Sequence, residues 1–225
     1  QGGEEPHLPP SLTRVSLPMV WNNEQLAAQI PRSVRSMGVY PKIDVMVAMK
    51  WPPGLTALDV AHEARHADHE SDGPILNYLP ATLTILSCPY GFLGVTKARP
   101  EMIKWPRLSE LAIYNAQRAP LHFFATLPSS LKCLFIGQTQ FYGNYIEALP
   151  RSLVWLQLKT PVRSHFIPDL PPHLLVLYLS ILDPCPESVH SLPETLLFLS
   201  CLNYQNDWDR YLPPHCIVSN KIEEN

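Results

Sequence analysis

The sequence predicts a solenoid of stacked rungs, mostly β with little helix, built on one parallel sheet of about nine to ten short strands. Three observations carry this. First, LPSSLKCLFI at 127–136 returns 22 residues later as LPRSLVWLQL at 149–158. Second, the shared skeleton, L-P-x-x-L-x-x-L-x-(L/I), recurs along nearly the whole chain of 225 residues. Third, its last two apolar positions are spaced by two, the period of a strand with one buried face.

The first anchor of the skeleton falls at Leu12, Val34, Leu55, Leu83, Leu108, Leu131, Leu153, Leu174 and Leu196, in steps of 22, 21, 28, 25, 23, 22, 21 and 22 residues. The second is Val15, Met37, Leu58, Leu86, Leu111, Leu134, Leu156, Leu177 and Leu199. The third is Leu17, Val39, Val60, Cys88, Ile113, Ile136, Leu158, Leu179 and Cys201. A decayed tenth copy, LPPHCIV, places Cys216 at the first anchor. A proline stands three residues before almost every first anchor; Pro106 is one residue closer. Proline fixes φ and offers no N–H, so it belongs just before each strand and not inside it. One rung cannot bury its own apolar side, so neighbouring rungs must stack. At roughly 4.8 Å per strand, ten rungs make a rod on the order of 45 Å long.

Nine L-x-x-L-x-L copies in phase resemble the leucine-rich repeat, over about Leu8 to Ser219. The Pro-led form is similar to FNIP-type repeats and to the short repeats of bacterial type III secreted effectors. The resemblance implies an α/β horseshoe solenoid acting as an interaction module. It also implies that such an array is often joined to F-box or ubiquitin-ligase domains and selects their substrate. The asparagine that usually follows the strand is replaced by Val20, Lys42, Glu63, Gly91, Ala116, Thr139, Pro161, Leu182 and Tyr204. The turns after the strands are therefore expected to be irregular.

In chain order, residues 1–7 read as a polar tail or linker, 8–219 as one solenoid domain with a long insertion at 61–78, and 220–225 as a charged tail. WNNEQLAAQI at 21–30 suits a short helical turn. Rungs two and three match least well, and Ile43, Val45, Val47 and Met49 alternate as a second short strand would. Later connectors carry aromatic residues, Tyr90, Phe92, Phe123, Phe124, Phe141, Tyr145, Phe166, Tyr204 and Trp208. One cluster per rung reads as a core on the convex side.

Residues between the anchors form three rows that point away from that core. Toward the N-terminus they are small and polar. Toward the C-terminus, Cys133, Phe135, Trp155, Val176, Tyr178, Phe198 and Leu202 should lie side by side across four rungs. An apolar patch of this size usually marks a partner site, and Trp and Tyr at its middle fit the composition of binding hot spots. The expected partner is a protein or peptide. The alternatives are cover by another segment of the same chain, or a structural subunit buried in a large assembly.

His62-Glu63-Ala64-Arg65-His66 matches H-E-x-x-H, which on a helix sets two imidazoles on one face around zinc, with the Glu activating water. His69 or Asp72 could supply a third ligand. The string follows a repeat strand directly and places Arg65 where zincin helices usually carry an uncharged residue. The simpler reading is a solvated loop; His62, His66 and His69 stay as weak metal candidates, and a zinc metallohydrolase is the remote alternative. No cofactor is expected, and no catalysis.

A net charge of −3 provides no basic field for a nucleic-acid backbone. No apolar run approaches a membrane span. Three of the five cysteines replace anchors, which reads as small buried groups with free thiols in a reducing, cytoplasmic compartment. Delivery into a host cell stays open.

Overall fold

The computed structural model describes residues 8–17, 29–39, 51–60, 79–93, 105–139, 143–183 and 185–219. The expected second strand at Ile43 to Met49, most of the helical turn at 21–30, the insertion at 61–78 and both tails lie outside them.

Each copy of the skeleton begins as a tight turn. The carbonyl of the leading proline accepts the N–H of the first anchor three residues on, as from Val34 to Pro31 at 3.1 Å and from Leu131 to Pro128 at 3.1 Å. Where the proline is displaced, Trp105 supplies the carbonyl for Leu108 at 3.2 Å, and Pro106 takes the next turn position, which its fixed φ suits. The chain then enters a strand. The strands are β1 (Arg14–Ser16), β2 (Ser36–Val39), β3 (Ala57–Val60), β4 (Ile85–Pro89) and β5 (Glu110–Tyr114). They continue with β6 (Cys133–Ile136), β7 (Trp155–Leu158), β8 (Val176–Leu179), β9 (Phe198–Cys201) and β10 (Ile217–Ser219). All ten pair in parallel in sequence order, giving one open sheet with β1 and β10 at its edges.

Adjacent rungs are tied by a repeated bond. From the first rung to the eighth, the carbonyl of the residue after the first anchor accepts two N–H groups from the next rung; Lys132 takes those of Val154 at 2.8 Å and Trp155 at 3.0 Å. A second tie comes from side chains. Ser or Thr stands immediately before the first anchor in several rungs, and its hydroxyl donates to the anchor carbonyl of the rung before. Thr82 donates to Leu55, Ser130 to Leu108, Ser152 to Leu131 and Thr195 to Leu174, at 2.6–2.8 Å. At Gly54, which holds this slot in the third rung, the Arg35 guanidinium occupies the space a side chain would need.

The anchors build the core. Val34, Leu55, Leu108, Leu131, Leu153, Leu174 and Leu196 are fully buried. Behind them, among the described residues, the connectors contain short 3-10 turns and two single helical turns, α1 (Leu121–Phe124) and α2 (Pro186–Val189). Their aromatic residues pack as expected on the convex side. Tyr90, Phe123, Phe124 and Tyr145 form a continuous run with ring centroids 4.7–5.4 Å apart. Trp208 is buried against Tyr204. Phe141 lies outside the described residues.

The tenth copy departs from its expected register. Cys216 closes the usual turn onto Pro213 at 2.9 Å, but Ile217 pairs with Phe198, so the strand starts one residue early. Val218, not Ser219, therefore stands opposite the second anchor Leu199. The slip places apolar Val218 rather than polar Ser219 at the inner position.

Candidate functional site

The open face of the sheet follows from the pleat. In β6 to β8 the anchors are buried and the residues between them stay partly exposed. In-register pairing sets Cys133, Trp155, Val176, Phe198 and Ile217 in one row across β6 to β10. It sets Phe135, Gln157, Tyr178 and Ser200 in the next.

The large rings alternate between these rows, one per rung: Phe135 in β6, Trp155 in β7, Tyr178 in β8 and Phe198 in β9. Trp155 and Tyr178 lie with centroids 5.7 Å apart at 50°, and Tyr178 and Phe198 5.4 Å apart at 44°. Phe135 packs at 5.4 Å on Tyr114 of the preceding rung, and the Lys159 ammonium sits 5.7 Å from its ring centre. All four rings are half-buried, Phe135 against Tyr114 and the other three against one another, and none belongs to the core.

The face is wider than the sequence rows suggest. Leu175 and Leu197, each one residue before its strand, are 36% and 49% exposed, and Ile217 on the last strand is 67% exposed. They extend the apolar surface along the strand entries and out to the β10 edge. The signal for Leu175 and Leu197 was the apolar residue after the first anchor, where the first six rungs carry Thr, Ser, Lys or Arg and the seventh carries Val154.

Two expectations need correction. The third outward row does not stay exposed: Pro89, Gly137 and Ser180 are buried, while Lys159 and Leu202 remain outside. The strands end there and the chain folds back, so rungs close up. A Cβ on Gly137 would meet the Ile113 carbonyl at 3.1 Å, and the Ser180 carbonyl accepts the Val162 N–H at 2.7 Å. Ser200 in the middle row is also buried. Leu202, 57% exposed, therefore sits past the strand end and not among the rings.

The N-terminal half of the face is polar, apart from Ile85 at 39% exposure. Ser87 donates to the Asp59 carboxylate at 2.8 Å, and its oxygen lies 3.3 Å from the Tyr114 hydroxyl.

None of the five cysteines is disulfide-bonded. Burial pushes the Cys88 thiol far above its ordinary value, with the Asp59 charge adding to it. Cys133 is raised by burial and then by Glu110; Cys201 and Cys216 are raised by burial. Such thiols stay protonated near neutral pH and make poor nucleophiles. His62, Glu63, His66 and His69 lie outside the described residues. Among the described residues no cluster of His, Cys, Asp or Glu could hold a metal ion, and no helix is long and apolar enough to cross a membrane.

No protein-family model matches the chain, and no curated protein matches it in sequence. Solved structures do resemble it. The leucine-rich repeat-containing protein LegL7 from Legionella pneumophila is 16% identical, with a TM-score of 0.58 over 94% of this chain and 83% of that one. CroV588, a circular leucine-rich-repeat protein, is 18% identical, with a TM-score of 0.53 over 94% of this chain and 33% of that one. The parallel ten-stranded sheet and these likenesses together establish a leucine-rich-repeat solenoid fold.

Proposed function

We propose that the chain is a non-catalytic interaction module whose solenoid, residues 8–219, binds a protein or peptide through the open face of β6 to β9. The observation that carries this is the zigzag of Phe135, Trp155, Tyr178 and Phe198, half-buried on a strand face with Cys133 and Val176 in the same row as Trp155 and Phe198, and Leu202 exposed just past the end of β9. Cross-strand ring pairs add modestly to the sheet's own stability, but a contiguous apolar patch of this size on a solvent-facing strand surface marks an interaction site. A rigid sheet also holds its anchors in place before binding, so little ordering cost remains at association. Thiols packed in the core as Cys88 and Cys201 are support action in a reducing compartment. A role in choosing substrates for a larger protein is consistent with this surface.

The test is selection from a random peptide display library on the purified chain. Enriched peptides should lose binding to Trp155→Ala and Tyr178→Ala while keeping it for Asp59→Ala in the polar half. Peptides that bind all three variants as they bind wild type would place the site elsewhere.

A further inference from the structure

The rings also indicate what kind of segment fits them, an inference that rests on the binding face just described. In each row, ring positions recur every second rung: Phe135 and Tyr178 in one, Trp155 and Phe198 in the other, with Gln157 and Val176 between them. Two rungs of a sheet span about 9.6 Å. A polyproline II helix rises about 3.1 Å per residue with three residues per turn, so it repeats every ~9.3 Å. It therefore stays in phase with the rings within about 0.3 Å per repeat. Two turns of α-helix advance about 10.8 Å and drift out of phase roughly four times faster. An extended strand repeats every ~6.6 Å and misses altogether.

The chemistry agrees. A polyproline II backbone makes no internal hydrogen bonds, so its carbonyls need external donors. Gln157, Tyr178 and Trp155 carry an amide, a hydroxyl and an indole N–H, all on this face. Aromatic-lined grooves are the usual seats for such segments. Charge fixes the remainder. Across β6 to β9 the outward positions carry Lys132 and Lys159 and no acid, whereas Asp59 and Glu110 lie in rungs three and five. Lys159 sits at the Phe135 end of the zigzag.

We propose that the partner is a proline-rich segment in the polyproline II conformation, laid across β6 to β9 with acidic residues at its β6 end. The experiment titrates four fluorescent peptides into the full chain by anisotropy: five prolines, about 15 Å long and so matched to the roughly 14 Å from β6 to β9, with a three-Glu tail, the same with a three-Lys tail, an Ala-rich helix with the Glu tail, and a Gly/Ser chain with the Glu tail. The Glu-tailed proline peptide should bind at least tenfold tighter than the helix and the Gly/Ser chain. Trp155→Ala and Tyr178→Ala should each weaken it at least tenfold, and Lys159→Glu should reverse the preference between the Glu and Lys tails. Equal or tighter binding of the helix, or an unchanged tail preference in Lys159→Glu, overturns the proposal. If proline peptides do not bind while display-selected peptides still depend on Trp155 and Tyr178, the proline inference falls and the binding face stands. If the proline peptide binds Trp155→Ala and Tyr178→Ala as it binds wild type, both fall.

Discussion

Leu156 and Gln157 are adjacent in the chain and face opposite ways. Leu156 is fully buried among anchors of neighbouring rungs, so Leu156→Ala should cost about 2–5 kcal/mol by urea unfolding. Gln157→Ala, on the outer face, should stay within about 0.5 kcal/mol. This alternation was legible without coordinates, because burial on a pleated strand has a period of two. What a single residue did not reveal was the buried outer row: Gly137 and Ser180 look like surface residues, and only the closing of the rungs beyond the strands buries them. The thiols give a second test at this scale. Cys88, Cys133, Cys201 and Cys216 are held above their ordinary value of 9.0 by burial. A raised folded-state value favours the protonated form, so its contribution to stability is full below the unfolded value and is lost as pH rises above it. The urea midpoint should therefore be insensitive to these groups at neutral pH and fall between about pH 8.5 and 10. An unchanged midpoint at pH 10 would show that the thiols are not buried as described.

Among elements, the turn before each strand holds the stack together as much as the strand does. Ser152 donates to Leu131 and Ser130 to Leu108, both at 2.7 Å, so each hydroxyl bridges two rungs. Removing one leaves a carbonyl short of a partner, and Ser152→Ala should cost about 1 kcal/mol by urea unfolding. Ser11, before Leu12, has no earlier rung in the described sheet, so Ser11→Ala should fall well below that. The proline turns and anchors were legible because they recur with fixed spacing. The hydroxyl ladder recurs less regularly, at Ser33, Thr82, Ser130, Ser152 and Thr195 but not at Gly54, Arg107 or His173, and Ser and Thr are common in turns while the bonds span 21 to 27 residues. The slipped register of β10 had no such signal, since a terminal rung is aligned from one side only.

For the whole molecule, stability is a sum over rungs and the interfaces between them, so local damage stays local. Hydrogen exchange after Leu134→Ala should accelerate most in β5 to β7, with β2 and β3 little changed. The same modularity frees the outer face to be specialised in one half without disturbing the other. The polar residues around Asp59 and Ser87 and the rings from Phe135 to Phe198 share one scaffold. That Phe135, Trp155, Tyr178 and Phe198 share one outward face was legible from their places between the anchors. Its true width was not, because Leu175, Leu197 and Ile217 join it only once register and strand entry are known. The most direct test of the account is the affinity of a display-selected peptide for Tyr178→Ala, at the centre of the zigzag, beside Asp59→Ala in the polar half. A ring at the middle of a binding site should cost about 2 kcal/mol or more, roughly thirtyfold in Kd, with Asp59→Ala within about twofold. Loss of affinity in Asp59→Ala with Tyr178→Ala unaffected would contradict it.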